Sequence, residues 1–262
     1  MRVEVLASGS KGNCTIISGS SGSLLIDAGL SARELLGRMA AAGIDPGEVR
    51  AILVTHEHGD HIRGLDVLAR KLGVPVYGTE GTLQDFFSFR RISKKPITHH
   101  ACKYHERSTV EDFLIEPFAT SHDAAEPCGY IVGEGDLRIG YCTDTGVVTP
   151  GMLEILRTCE GVVLESNHCP EMLKNGPYPE SLKRRIRSRR GHLSNPAAAE
   201  CLRGFRKDLP RIILAHLSEI NNTPEKALAS ARDGLGLFFS EGDIIVATPG
   251  GTSAAAPQSF EL

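Results

Sequence analysis

Between residues 55 and 61 the chain reads Thr-His-Glu-His-Gly-Asp-His, which sets His56, His58, Asp60 and His61 in an H-x-H-x-D-H arrangement. Three imidazoles and a carboxylate this close together are the donor set of a divalent-metal site, mononuclear or dinuclear. Nitrogen and oxygen donors of this kind suit zinc, manganese or iron. Gly59 is expected to let the loop turn tightly enough to aim its neighbours at one centre. More donors stand in similar contexts further on: His122 in Thr-Ser-His-Asp, Asp144 in Thr-Asp-Thr-Gly and His216 in Ala-His-Leu-Ser.

These residues need a scaffold that brings distant segments together. Strand-like runs, short and rich in Val, Ile and Leu, occur at 3–7, 23–27, 51–55, 74–78, 113–118, 128–132, 137–142, 161–165, 211–215 and 243–248. His122, Asp144 and His216 each lie just past such a run, so all are predicted to gather at one edge of the sheets. Ser31 and Glu34 form a capping-box pattern before Leu35, Leu36 and Met39 at helical spacing, with Gly43 as the stop. Thr149-Pro150, Asn195-Pro196 and Thr223-Pro224 each predict a capped helix start, and residues 64–72 a further short helix. Strands in the first half and mixed elements in the second fit an α/β protein with two packed sheets and helices outside, a four-layer αββα sandwich. A single domain over residues 1–252 is expected, with a disordered tail at 253–262.

Composition narrows the rest. The 262 residues are 41% hydrophobic and 23% charged, ordinary for a globular protein that buries a sizeable core. Tryptophan is absent and aromatics are 5%, so stacking on bases cannot be the main mode of nucleic-acid binding. The seven cysteines show no C-x-x-C spacing and no signal peptide precedes the first strand, so reduced thiols and a cytoplasmic location are expected. No apolar run approaches the roughly 18 residues of a membrane span. The net charge is −3, yet nine Lys or Arg fall between Lys183 and Lys207 against a single acid, Glu200. Such a segment around His192 is what a nucleic-acid backbone would need. His99, His100 and His105 are read as surface or loop residues.

The motifs together resemble the metallo-β-lactamase superfamily. Leu24 to Gly29 (LLIDAG) is similar to its first motif and H-x-H-x-D-H to its second, while His122, Asp144 and His216 match its later ligands. The resemblance implies His56, His58 and His122 on one metal, Asp60, His61 and His216 on another, Asp144 bridging, and Asp27 partnering a ligand histidine. Ser8–Asn13 (SGSKGN), Glu165–His168 (ESNH), Gly191–Asn195 (GHLSN) and His216–Asn222 (HLSEINN) resemble the YycJ (WalJ, VicX) group of bacterial DNA exonucleases, related to RNase J and tRNase Z. Two features depart from these relatives. Only 26 residues separate Glu165 from His192, too few for the insertion domain that RNase J relatives carry there. Cys169 stands where this group would place an acid.

What the resemblance implies is a 5′–3′ DNA exonuclease using two divalent ions, zinc or manganese, to activate a hydroxide, with DNA favoured over RNA as the partner. Asp60, Asp144 and His192 would be its catalytic residues, His192 as phosphate partner or proton donor to the leaving oxygen. Ser8, Ser10, Lys11 and Asn13 form a polar loop whose amides can face an anion, and Ser218 and Asn221 lie just past His216; all six are candidate phosphate contacts. H-x-H-x-D-H alone also fits a hydrolase of thioesters or lactams, or a binding protein that has kept the fold.

Overall fold

Two seven-stranded sheets pack face to face with helices on both outer sides, the αββα sandwich expected from the sequence. The computed structural model describes residues 1–89, 95–205, 211–236, 244–248 and 258–262. The first sheet contains β1 (Arg2–Ala7), β2 (Cys14–Gly19), β3 (Gly22–Ile26), β4 (Val49–Leu53), β5 (Val76–Thr79), β6 (His99–Cys102) and β14 (Ser259–Glu261), in the order β14-β1-β2-β3-β4-β5-β6. The second contains β7 (Ser108–Val110), β8 (Phe113–Ala119), β9 (Cys128–Glu134), β10 (Leu137–Cys142), β11 (Gly161–Glu165), β12 (Arg211–Ala215) and β13 (Ile244–Val246), in the order β13-β12-β11-β10-β9-β8-β7.

Strand residues alternate between two apolar environments, because successive side chains leave a strand on opposite faces. Val3, Val5, Leu24, Ile26 and Leu53 meet Ile115, Tyr130, Val132, Tyr141 and Val163 in the layer between the sheets. Leu6, Leu25 and Ile52 face outward onto α1 (Ala32–Ala41), α3 (Leu65–Leu72) and α4 (Glu80–Phe89). Ile131, Val162, Leu164 and Ile212 face α5 (Pro150–Leu156), α8 (Asn195–Arg203) and α9 (Pro224–Leu235) on the other side. β3 to β6 run parallel to one another, as do β10 to β13. Parallel strands align their carboxyl ends, and the loops that leave those ends form the rim where ligands of α/β sheets bind.

The Ser31–Glu34 capping box forms as expected: Ser31 Oγ accepts from the Glu34 amide at 3.3 Å and Glu34 Oε2 from the Ser31 amide at 3.2 Å. α5 and α9 likewise start behind Thr149 and Thr223. α8 is capped by Ser194, whose Oγ accepts from the Ala197 amide, and not by Asn195. The Asn195 side chain is used elsewhere, bonding Ser166 Oγ and Asn222 at 2.8–2.9 Å. The short α2 (Gly59–Ile62), α6 (Pro170–Asn175) and α7 (Glu180–Arg187), the longer α4, and strands β2, β6, β7 and β14 have no counterpart in the runs read from the sequence. His99 and His100 are exposed as expected but lie on edge strand β6, while His105 is exposed in a turn.

The disordered tail expected at 253–262 is corrected at its end. Residues 253–257 lie outside the described residues, but β14 pairs antiparallel with β1, Val3 opposite Phe260. Phe260 is 8% exposed and belongs to the core between the sheets. Its ring fills the space left by Gly161, where an added Cβ would lie 2.5 Å from Phe260 Cζ. Phe260→Ala should therefore cost about 3 kcal/mol of stability, as deletion of a packed ring does. Urea denaturation measures it, and a loss below about 1 kcal/mol would show that the strand contributes little.

Candidate metal centre

The site is built from the loops that leave the carboxyl ends of β3, β4, β8, β10, β11 and β12. Beyond β4 the chain turns at Thr55, and the turn is held by Asp27, fully buried after β3. Asp27 Oδ1 accepts from the Thr55 amide at 2.9 Å; Oδ2 accepts from Thr55 Oγ1 at 2.9 Å and from His61 Nδ1 at 2.7 Å. Asp27 is thus the carboxylate partner of His61, an arrangement that fixes ring orientation and tautomer. Gly59 is not the residue that shapes the loop: a Cβ there would meet nothing within 4 Å, and its φ is not positive. The requirement falls on Gly29, where a Cβ would lie 1.6 Å from the Asp60 carbonyl oxygen. Three non-glycine residues of the site hold left-handed backbone, Asp27 (φ 64°), Asp144 (φ 52°) and His216 (φ 57°). That conformation costs about 1 kcal/mol each, strain of the kind that collects at functional sites.

Five imidazoles are aimed the same way. His61 donates Nδ1–H to Asp27, His122 to the Gly191 carbonyl at 3.0 Å, and His56 to Thr55 Oγ1 at 3.0 Å. His192 and His216 both donate Nδ1–H to Glu165 Oε1, at 2.8 and 3.0 Å. Each ring therefore turns its Nε2 to the interior of the site, and His58 contributes Nδ1. His56 Nε2 lies 3.0 Å and His122 Nε2 3.3 Å from His58 Nδ1. Asp144 stands between this group and a second one: Oδ2 lies 3.3 Å from His61 Nε2, and Oδ1 3.8 Å from His122 Nε2. Asp60 Oδ2 is 3.7 Å from His61 Nε2 and 3.9 Å from His216 Nε2.

The donor set fits divalent cations. His56, His58 and His122 place three atoms within 4.8 Å of one another, as do Asp60, His61 and His216. Tetrahedral coordination at metal–nitrogen distances of 2.0–2.1 Å separates ligand nitrogens by about 3.4 Å, close to the spacing of the first group. Asp144 Oδ2 and His216 Nε2 are buried and make no hydrogen bond, a costly state that a cation relieves. Protonation follows the same division. Burial, reinforced by the other imidazoles, drives the His56 pKa far down, and burial lowers His122. Burial also opposes the charge on His61, but Asp144 and Asp27 outweigh it and hold the imidazole at about 9. For Asp144, burial is outweighed by His216 and His61, so the carboxyl stays below its usual range. A cation entering here displaces protons from the second group. Glu165 is a holder rather than a ligand. Oε2 accepts from the Thr145 and Leu193 amides at 2.8 and 3.1 Å, so with the two imidazoles on Oε1 all four acceptor positions are used.

A pocket of about 250 Å³ opens over these groups, lined by His58, Asp60, His122, Asp144, His192 and His216 and by side chains from the loops around them. Ser121 ties the rim together: its Oγ donates to the Arg189 carbonyl at 2.7 Å and its carbonyl accepts from Gly146 at 2.8 Å. The His122, Asp144 and His192 loops are thereby joined. Glu57, between two candidate ligands, extends the frame by accepting from the Ala125 amide at 2.8 Å.

Residues 23–217 match the family model of the beta-lactamase superfamily domain, a span that contains every residue of the cluster. The chain belongs to the metallo-β-lactamase superfamily. It is 38% identical over 247 residues to exodeoxyribonuclease WalJ of Streptococcus pneumoniae, covering 91% of this chain and 92% of that protein. It is 40% identical over 234 residues to exodeoxyribonuclease YycJ of Bacillus anthracis, covering 88% and 87%. The metallo-β-lactamase-fold protein YhfI of Bacillus subtilis superposes with a TM-score of 0.74 over 99% of both chains, at 15% identity, a likeness of fold alone.

In this metallo-β-lactamase frame the six expected substrate contacts separate. Ser10 and Ser218 line the pocket. Ser8 is buried, and its Oγ accepts from the His216 amide at 2.7 Å. Asn13 is 2% exposed; Nδ2 lies 3.0 Å from His61 Nε2 and Oδ1 accepts from Gly9 at 2.8 Å. Asn221 is fully buried, its carbonyl accepting from the Cys169 amide at 2.8 Å. These three steady the loops. Lys11 pairs with Glu219 at 2.6 Å, outside the pocket lining. The cationic segment is also less free than its sequence suggests: Arg185 pairs with Asp123, Arg187 with Glu180, Arg203 with Glu200, and Lys183 is buried against the Lys174 carbonyl. Arg184, Arg189 and Arg190 remain exposed, and Arg206 and Lys207 lie outside the described residues. All seven cysteines are free, and no helix among the described residues is long and apolar enough to cross a membrane. Tyr178 and Leu182 line the pocket without having been singled out by the sequence, and Asn167, marked there only as part of ESNH, lines it too.

Proposed function

We propose that the chain is a divalent-metal-dependent phosphodiesterase that removes nucleotides from the ends of DNA, running 5′ to 3′. The observation that carries this reading is 38–40% identity, over about nine-tenths of the chain, with proteins named as exodeoxyribonucleases. In this reading His56, His58 and His122 hold one ion, Asp60, His61 and His216 hold a second, and Asp144 reaches both. Zinc or manganese suits these donors, and iron also. When bound, such ions polarise a phosphate oxygen and lower the pKa of water from about 15.7 to about 7.

The chain's own groups do the rest. Asp60 orients the attacking water. His192 keeps Nδ1–H on Glu165 and turns Nε2 to the pocket, and the carboxylate supports the doubly protonated ring that a proton donor to the leaving oxygen requires. Ser10 and Ser218 contact the phosphate from the pocket wall.

The test is cleavage of end-labelled linear duplex DNA by metal-stripped protein reloaded with manganese or zinc. Stepwise loss from the 5′ end is expected, absent without metal and absent in Asp60→Ala. No cleavage with either metal, together with hydrolysis of a thioester or lactam, would overturn the substrate while leaving the fold.

A further inference from the structure

One wall of the pocket has a chemistry that metal and phosphate do not use. Tyr178, Leu182 and Ile186 line it, the last two one turn apart on α7. Tyr178 and Leu182 are only half-buried. An aromatic ring and aliphatic side chains in a pocket otherwise lined by polar and charged groups form the apolar side of a ligand site, where a substrate has an apolar face to bury. A phosphodiester has none, but the nucleobase attached to it does. Stacking on an aromatic side chain tolerates every base, because each presents a π-face. The polar wall on this side belongs to Arg185, whose guanidinium is held by both oxygens of Asp123 at 2.5 and 3.0 Å.

We propose that Tyr178, backed by Leu182 and Ile186, holds the terminal nucleobase of the strand being degraded while its phosphate lies over the metal centre. The proposal rests on the DNA exonuclease reading above and adds a subsite to it. The pocket, at about 250 Å³, has room for one nucleoside. That agrees with a chain poor in aromatics: a single stacked base engages the end, and the remaining affinity comes from the backbone. Grip on the last base without a hydrogen-bonding code lets the enzyme advance through any sequence.

The experiment compares single-stranded oligonucleotides that end in an ordinary nucleotide or in an abasic residue at the end that is degraded. KM and kcat are measured with manganese-loaded protein. Binding to metal-stripped protein is measured by fluorescence anisotropy from a label at the far end. The wild-type chain should show a KM about tenfold higher for the abasic end, with kcat moved much less and binding weakened to match. Tyr178→Ala should bring the two ends together by weakening the ordinary one about tenfold, and Tyr178→Phe, which keeps the ring, should retain the difference. A wild-type chain that degrades both ends with equal KM overturns the subsite without any variant. So does a Tyr178→Ala protein that cleaves DNA and still discriminates. Failure of the wild-type chain to cleave DNA with any metal would overturn the underlying reading and the subsite together, a result distinct from cleavage without discrimination.

Discussion

Asp144→Asn will slow DNA cleavage by about 10³-fold and lower the number of divalent ions the protein retains. The substitution is chosen for the backbone: Asp144 holds φ 52°, which Asn tolerates and Ala does not, so the effect reports the charge and not a strained turn. Four imidazole nitrogens, on His61, His122, His192 and His216, lie 3.3–3.8 Å from this one carboxylate. An amide of the same shape keeps one oxygen and replaces the other with a donor. It can therefore serve the His122 side or the His61 side, not both, and it supplies no negative charge to either. Metal content after gel filtration and the end-labelled assay measure the two losses. A variant that keeps its full metal content and cleaves within about tenfold of the parent would remove Asp144 from the position between the two groups.

How much of this was legible beforehand depended on whether the information was local. H-x-H-x-D-H is contiguous, and His122, Asp144 and His216 each lie within three residues of the end of a buried strand, so a ligand-type residue after a strand was enough to find them, whereas Asp27 came only with the resemblance of LLIDAG to a family motif. The roles of Ser8 and Asn13 were not legible. A short polar residue in a Gly-rich loop serves a phosphate or a neighbouring amide equally well, and only the 2.7 Å contact to His216 and the 3.0 Å contact to His61 decide. α7 carries too few apolar residues, Leu182 and Ile186, for its period to stand out, yet it walls the pocket. β14 pairs with β1 from the opposite end of the chain, a contact invisible to any local window. The free charge of the 183–207 segment is smaller than its sequence suggests for the same reason: Asp123 and Glu180, outside that window, pair with Arg185 and Arg187.

Glu165→Gln carries the second large effect, and its cause is tautomeric. All four groups around Glu165 donate: the Thr145 and Leu193 amides to Oε2, and the His192 and His216 rings to Oε1. Burial opposes its charge, but His192 and the hydrogen bonds from both rings outweigh burial and keep the carboxyl well below its usual range. A glutamine must turn its NH₂ towards one pair. The backbone amides cannot accept a hydrogen bond, whereas an imidazole can, so the NH₂ faces the rings. A ring that then accepts at Nδ1 carries its proton on Nε2, the atom that faces the metal centre. For His216 this removes a ligand lone pair; for His192 it removes the carboxylate that supports a proton donor. Metal affinity and kcat should each fall about 10- to 100-fold, the usual cost of losing such a partner, with KM for DNA little changed. Excess manganese should restore part of the activity by driving the His216 proton off. A merely structural role predicts otherwise: a lower melting temperature, unchanged metal affinity in the folded fraction, and no rescue by metal.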